Sequence, residues 1–154
     1  MDIDKKLKQQ GYFLIAEIGV NYYDIAYLRN TSAIEAAKIM IDEAADSGID
    51  AVKFQSYKAD TLASKNSPAY WDTEEESTTS QYELFKKYDK FGFHEYNELS
   101  SYCTAKDVMF LSTPFDFDTA DYLYELMPAY KISSSDITNI PFISYIAKKN
   151  KPVL

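Results

Sequence analysis

Two lysines stand where a lysine is costly. Lys53 interrupts the apolar run DAVKFQSY (50–57) and Lys131 the run AYKISSSD (129–136). An ammonium inside such a run must find a partner or give up its charge. A single strand lysine ordinarily pairs with a carboxylate or points outward from an edge. Two of them in equivalent positions of two similar units point instead to convergence on one anion. Glu17, within LIAEIG, raises the same question with opposite sign, since a carboxylate in a buried run is paired, protonated or hydrogen-bonded. Pairing with a lysine and a catalytic role are compatible: one carboxylate can hold a lysine in the empty site and orient a substrate or water in the full one. Thr113, Ser133 and Ser134 are neutral donors suited to phosphate or carboxylate oxygens, and Asn21, Gln55 and Asp136 add amide and carboxylate groups nearby in the sequence.

Other residues read more plainly. His94 follows Gly92 at a helix start and is expected to be a surface or capping residue; Cys103 lies on an apolar helix face and is expected to be inert core. Tyr70, Trp71 and the many other tyrosines are expected to pack the core and a long loop, and the acidic stretch DTEEESTTS (72–80) to be solvated. One cysteine and one histidine give no internal disulfide and no cluster with metal-ligand spacing.

The elements that must position these residues alternate. Short apolar runs at 11–20, 50–57, 108–115 and 129–136 read as strands. Helical stretches at 32–47, from Gln81, at 93–106, 117–126 and 141–149 separate or follow them, with Gly48 ending the first and Pro141 opening the last. A polar stretch covers 58–80, and KPVL at 151–154 begins a fifth strand. Strands alternating with helices predict a parallel sheet with right-handed crossovers, either doubly wound or part of a (β/α)₈ barrel. In both, ligands bind at the C-terminal ends of the strands, where Glu17, Lys53, Gln55, Thr113 and Lys131 fall.

Composition sets limits. A net charge of −8 argues against nucleic acid, which needs a basic face. A small anion remains compatible with an acidic protein if a few lysines converge. No apolar run nears the ~20 residues that cross a bilayer, and MDIDKKLKQQ lacks the apolar core of a signal peptide. A cytoplasmic protein without membrane contact is the expectation.

Five separated motifs resemble the N-acetylneuraminate (sialic acid) synthase family, which includes legionaminate, pseudaminate and spore-coat polysaccharide synthases: LIAEIGVN, DAVKFQSYKADTL, SQYELFKK, FLSTPFD and YKISSSDITNIPFISYIAKKNKPVL. The resemblance implies an α/β fold, the first half of a (β/α)₈ TIM-type barrel over residues 12–154, cut at its fifth strand, after a polar lead-in at 1–11. It implies condensation of phosphoenolpyruvate with an open-chain N-acyl amino sugar to a nine-carbon 2-keto acid. Glu17, Lys53, Lys131 and Asp136 would be catalytic, and Asn21, Gln55, Thr113, Ser133 and Ser134 would bind substrate. Lys53, Thr113, Lys131 and Ser134 would hold the phosphoenolpyruvate phosphate and carboxylate, Glu17 would orient water or the metal's shell, and Gln55 and Asp136 would face the sugar. A divalent metal, manganese or magnesium, is implied for the complete enzyme, with its ligands on later strands and none here.

Two departures stand out. Tyr22, Tyr23 and Asp24 replace the His-Asn-Gly that usually follows the first asparagine, altering the loop after the first strand, and Ser135–Asp136 replace a Gly-Glu pair. With two open sheet edges, such a half barrel is expected to form a homo-oligomer or to associate with the other barrel half, and to be inactive alone. The alternative is a non-catalytic anion- or sugar-binding or subunit-pairing module built on the same barrel; a blander one is an α/β protein whose strand-end charges merely pair with each other.

Overall fold

The polar lead-in folds into helix α1 (Ile3–Gln10) and is tied to the sheet. The structure, a computed structural model, describes residues 3–154, so the first two residues of the lead-in lie outside it. Ile3 is buried, and the polar face of α1 reaches the buried Asp50. The carboxylate of Asp50 accepts from Lys6 Nζ at 2.6 Å, from the Leu14 backbone N–H at 2.8 Å and from Gln10 Nε2 at 3.1 Å.

Three strands, β1 (Ile15–Gly19), β2 (Ala51–Ser56) and β3 (Met109–Pro114), form a parallel sheet in the order 1-2-3. Each strand lies beside its predecessor, so the sheet grows in one direction, as a barrel does and as a doubly wound sheet does not across its switch point. Val52, Phe54 and Phe110 pack beneath the helices α3 (Ala33–Asp46) and α6 (Phe93–Ala105), whose Ala37, Ile41, Leu99 and Cys103 are fully buried. Local chemistry fixes the helix starts. Ser32 Oγ accepts from the Glu35 N–H ahead of α3, and the Gly92 N–H donates to Glu95 at the start of α6. Gly48, at φ +76°, follows α3 in the left-handed conformation that glycine adopts freely.

The altered stretch after β1 is helix α2 (Tyr22–Arg29) rather than a loop. Tyr22 drives this: its ring is fully buried, stacked on Phe91 at 4.6 Å and tilted against Phe54 at 5.9 Å. Within the polar stretch 58–80 a short helix α4 (Ala59–Leu62) forms, followed by a loop in which Trp71 donates to the carbonyls of Glu76 and Thr78. Helix α5 (Gln81–Lys87) begins where helical periodicity resumes. The predicted helix over 117–126 is α7 (Phe117–Tyr122) continued as one tight 3₁₀ turn over 123–125.

The predicted fourth strand, 129–136, does not join β3. It is corrected to an extended segment that makes a single parallel bridge, Tyr130 to Val153, with the C-terminal KPVL, then winds into a 3₁₀ turn at 134–136. Tyr130 N–H donates to the Pro152 carbonyl and Leu154 N–H to that of Tyr130, both at 2.8 Å. Beyond that bridge the serines compete with any ladder. Ser133 Oγ bonds Ser135 Oγ at 2.8 Å, and the Asp136 N–H turns back to the Ser133 carbonyl at 3.0 Å. Asn139 then caps helix α8 (Ile140–Ala147), accepting from the Phe142 N–H, with Pro141 in the first turn.

Candidate active site

The register of the sheet assembles the site. Parallel partners lie on the same face, and the pairings Glu17–Lys53, Lys53–Leu111 and Gln55–Thr113 put all the polar members on one face toward the strands' C-terminal ends. On that face Lys53 forms an ion pair with Glu17 and donates to Thr113 Oγ1 at 3.3 Å. Gln55 Nε2 donates to the other Glu17 oxygen at 3.3 Å. Four predicted residues from three strands thus make one connected cluster. Its lysine is sheltered, with a side chain 12% exposed, while that of Glu17 is 48% exposed. A sheltered ammonium is costly without partners, which Glu17 and Thr113 supply.

The backbone around the cluster is shaped for it. Between Glu17 and Gly19 the β1 register slips by one residue, and Gly19 sits at φ +59°, where a side chain is strained. The Glu17 carboxylate and the Gln55 amide lie 3.4 and 3.5 Å from where a Gly19 Cβ would be. On the other side, the Tyr96 hydroxyl donates to the Gln55 carbonyl at 2.8 Å and steadies the end of β2. Lys58, just beyond β2, donates to the carbonyls of Asp89 and Phe91 at 2.6 and 2.8 Å, fixing the turn that packs on Tyr22. None of Gly19, Lys58 or Tyr96 was expected as a site residue. Lys58 repeats the signal of a lysine after an apolar strand; Tyr96 shares a helix face with Leu99 and Cys103 and reads only as core.

The second predicted group stands apart. Lys131 is half-buried, but its ammonium donates to the carbonyl of the next residue, Ile132. Ser133 and Ser135 bond each other, Ser134 is exposed in the 3₁₀ turn, and Asp136 Oδ1 accepts from Asn139 Nδ2 at 3.1 Å. The structure therefore does not bring Lys131 into the Lys53 cluster: without a ladder to β3, nothing holds this segment in the register that aligned Lys53 with Glu17. Asn21 is exposed at the start of α2 and makes no side-chain cap bond. His94 is exposed in the first turn of α6, and Cys103 is buried, with its thiol pushed up to about 12 by desolvation. Among the described residues, no group of three or more His, Cys, Asp or Glu side chains is placed to hold a metal ion. None of the helices described is long and apolar enough to cross a membrane.

A one-directional parallel sheet with a charged cluster at its strand ends fits a β/α-barrel protein with a candidate anion site. The chain belongs to the NeuB family, which it matches over residues 40–154. It is 37% identical to the N,N'-diacetyllegionaminic acid synthase of Campylobacter jejuni over 92% of this chain and 40% of the relative. The corresponding synthase of Legionella pneumophila is 34% identical over 92% of this chain and 38% of its own length. Among solved structures, the N-acetylneuraminic acid (sialic acid) synthetase of Leptospira borgpetersenii, in complex with citrate, superposes with a TM-score of 0.73 at 31% identity, over 92% of this chain and 42% of that one. The fold is accordingly the first half of a (β/α)₈ barrel, and the chain spans about two-fifths of the length of the relatives it matches.

Proposed function

We propose that the chain supplies the first half of the barrel of a sialic-acid-type synthase that condenses phosphoenolpyruvate with an open-chain N-acyl amino sugar. The observation that carries this reading is the Lys53–Glu17–Gln55–Thr113 cluster on one face of three adjacent strand ends. Lys53 and the Thr113 hydroxyl bind oxygens of the phosphoenolpyruvate, the ammonium countering its charge as that charge redistributes. Glu17, freed from Lys53 by the incoming anion, orients a water. The methylene carbon of phosphoenolpyruvate attacks the sugar aldehyde, the water adds to the resulting cationic carbon, and that adduct loses inorganic phosphate to leave the 2-keto acid. Gln55 and Asp136 face the sugar. A relative solved in complex with citrate, a tricarboxylate, is in keeping with an anion site in this family.

The residues described here do not fit a divalent metal, since they offer no ligand cluster. A metal used by the complete enzyme would take its ligands from outside the described residues. Lys131, Ser133 and Ser134 join the site once the segment that carries them is held between β3 and a further strand.

Phosphate release by the full-length protein, assayed with phosphoenolpyruvate and several six-carbon N-acyl amino sugars, tests the reading. Product formation that Lys53→Ala abolishes supports it; calorimetric titration showing no binding of phosphoenolpyruvate by the full-length protein defeats it. A second reading, a non-catalytic binding or subunit-pairing module, is favoured by one observation, the turn of Lys131 onto its own backbone. Binding of phosphoenolpyruvate without turnover of any sugar would select it.

A further inference from the structure

The same end of the sheet carries a second feature of opposite character. A cleft of about 340 Å³ lies between the end of β3 and the start of α8. Three rings, Phe115, Phe117 and Phe142, and four polar side chains, Thr61, Asp116, Asp118 and Asn139, line it. Ligand pockets begin at about 300 Å³, enough for one monosaccharide. No lysine or arginine lines the cleft and two carboxylates do, so an anion is disfavoured there, whereas the Lys53 cluster favours one. Rings beside fixed hydrogen-bond acceptors suit a ligand with apolar C–H faces and hydroxyl rims.

The parts are held in place before any ligand arrives. Asp116 Oδ1 accepts from the Thr119 N–H at 2.7 Å and Oδ2 from the Thr61 hydroxyl at 2.6 Å, which fixes the carboxylate while leaving lone pairs free. Phe117 is 47% exposed, yet its ring stands edge-on to Phe142 at 5.5 Å and to Tyr145 at 4.9 Å. An exposed aromatic ring pinned at the mouth of a cleft has apolar surface to offer at little entropic cost. Asn139 links the cleft to Asp136 through its 3.1 Å hydrogen bond, so the cleft opens beside the residue assigned to the sugar.

We propose that this cleft is the subsite for the uncharged, polyhydroxylated end of the sugar, with Phe117 as its stacking platform and Asp116 and Asp118 as its hydroxyl acceptors. The assignment rests on the synthase reading above and adds to it a place, and a set of residues, for sugar specificity. Two measurements on the full-length protein test it: saturation-transfer NMR with a free N-acetylated hexosamine, and steady-state kinetics. The parent protein should show transfer to the hexosamine, and Phe117→Ala should raise the KM for the sugar about five- to tenfold. The KM for phosphoenolpyruvate should stay within about twofold, because binding to that partner is untouched. Phe117→Leu, which keeps apolar bulk but no ring, should fall between, and Asp118→Asn, at an exposed position, should also raise the sugar KM. An unchanged sugar KM in both Phe117→Ala and Asp118→Asn, with melting curves like the parent's, overturns the subsite and leaves the condensation standing. Failure of the parent to consume phosphoenolpyruvate with any N-acyl amino sugar sinks the condensation instead. The cleft is then judged by saturation transfer alone, and absence of transfer overturns it.

Discussion

Lys53 and Lys131 carry the same sequence signal and meet different fates. Lys53 sits on a strand hydrogen-bonded on both sides, so its register with Glu17 and its alignment with Thr113 are set by the ladder. Lys131 sits on a segment whose backbone pairs with 152–154 but not with β3, and its ammonium falls back on the adjacent carbonyl. A charged residue in an apolar run therefore marks where a site can form, while strand pairing on both sides decides whether it forms. The lesson extends to the serines, which bond one another where no ladder claims their backbone.

The sharpest way to break this comparison is to remove Lys53. Lys53→Ala deletes the one ammonium that joins Glu17 to Thr113, and the affinity of the full-length protein for phosphoenolpyruvate should fall about 10- to 100-fold by calorimetry, the loss of a charged hydrogen-bonding partner. An unchanged affinity would mean that the cluster is only an ion pair.

Next in size are substitutions of the scaffold. Asp50 anchors the N-terminal end of β2, and the Lys6 ammonium, helped by the Leu14 N–H and the Gln10 amide, holds its carboxyl below the usual carboxylate range. A depressed carboxylate contributes stability that is complete above its unfolded pKa and is lost as pH falls through its folded one. The contribution should therefore be whole at neutral pH and disappear progressively below about pH 4. Asp50→Asn should cost about 1–3 kcal/mol in denaturant melts at pH 7 and much less at pH 3. On the other side of the comparison, the buried Tyr130 hydroxyl donates to the Ala120 carbonyl at 2.5 Å and ties the 129–136 segment to α7. Tyr130→Phe removes that buried hydrogen bond and should cost about 1–2 kcal/mol. If the two regions are independent, the two losses should add.

Much of this was legible in the sequence, and the failures share a cause. The boundaries of α3, α6, β2 and β3 follow from periodicity and from local caps such as Ser32 and Gly48. The Glu17, Lys53, Gln55 and Thr113 cluster follows from strand ends, because a parallel sheet presents them together. Helix α2 was missed because Tyr22 is pinned by Phe91 and Phe54, partners distant in the chain that no local pattern announces. The fourth strand was overread for the same reason: AYKISSSD has the composition of a buried strand, but pairing is a property of its neighbours. The cleft at Phe117 draws its lining from the turn after β3, from α4 and from the start of α8, and no single stretch of sequence carries it.

The smallest effect is the most discriminating. Lys131 shares no ion pair with the Lys53 cluster, and its amine bonds a carbonyl that water can serve equally well. In residues 1–154 on their own, Lys131→Ala should change stability by less than about 0.5 kcal/mol and leave phosphoenolpyruvate affinity unaltered. Where a partner or a longer form of the chain supplies a strand that holds 129–136 against β3, the same substitution should lower that affinity about tenfold or more. A large effect in both would show that Lys131 reaches the anion without a ladder to position it. A null effect in both would leave Lys53 as the only lysine of the pair that serves the anion, and would confine the site to the three strands already paired.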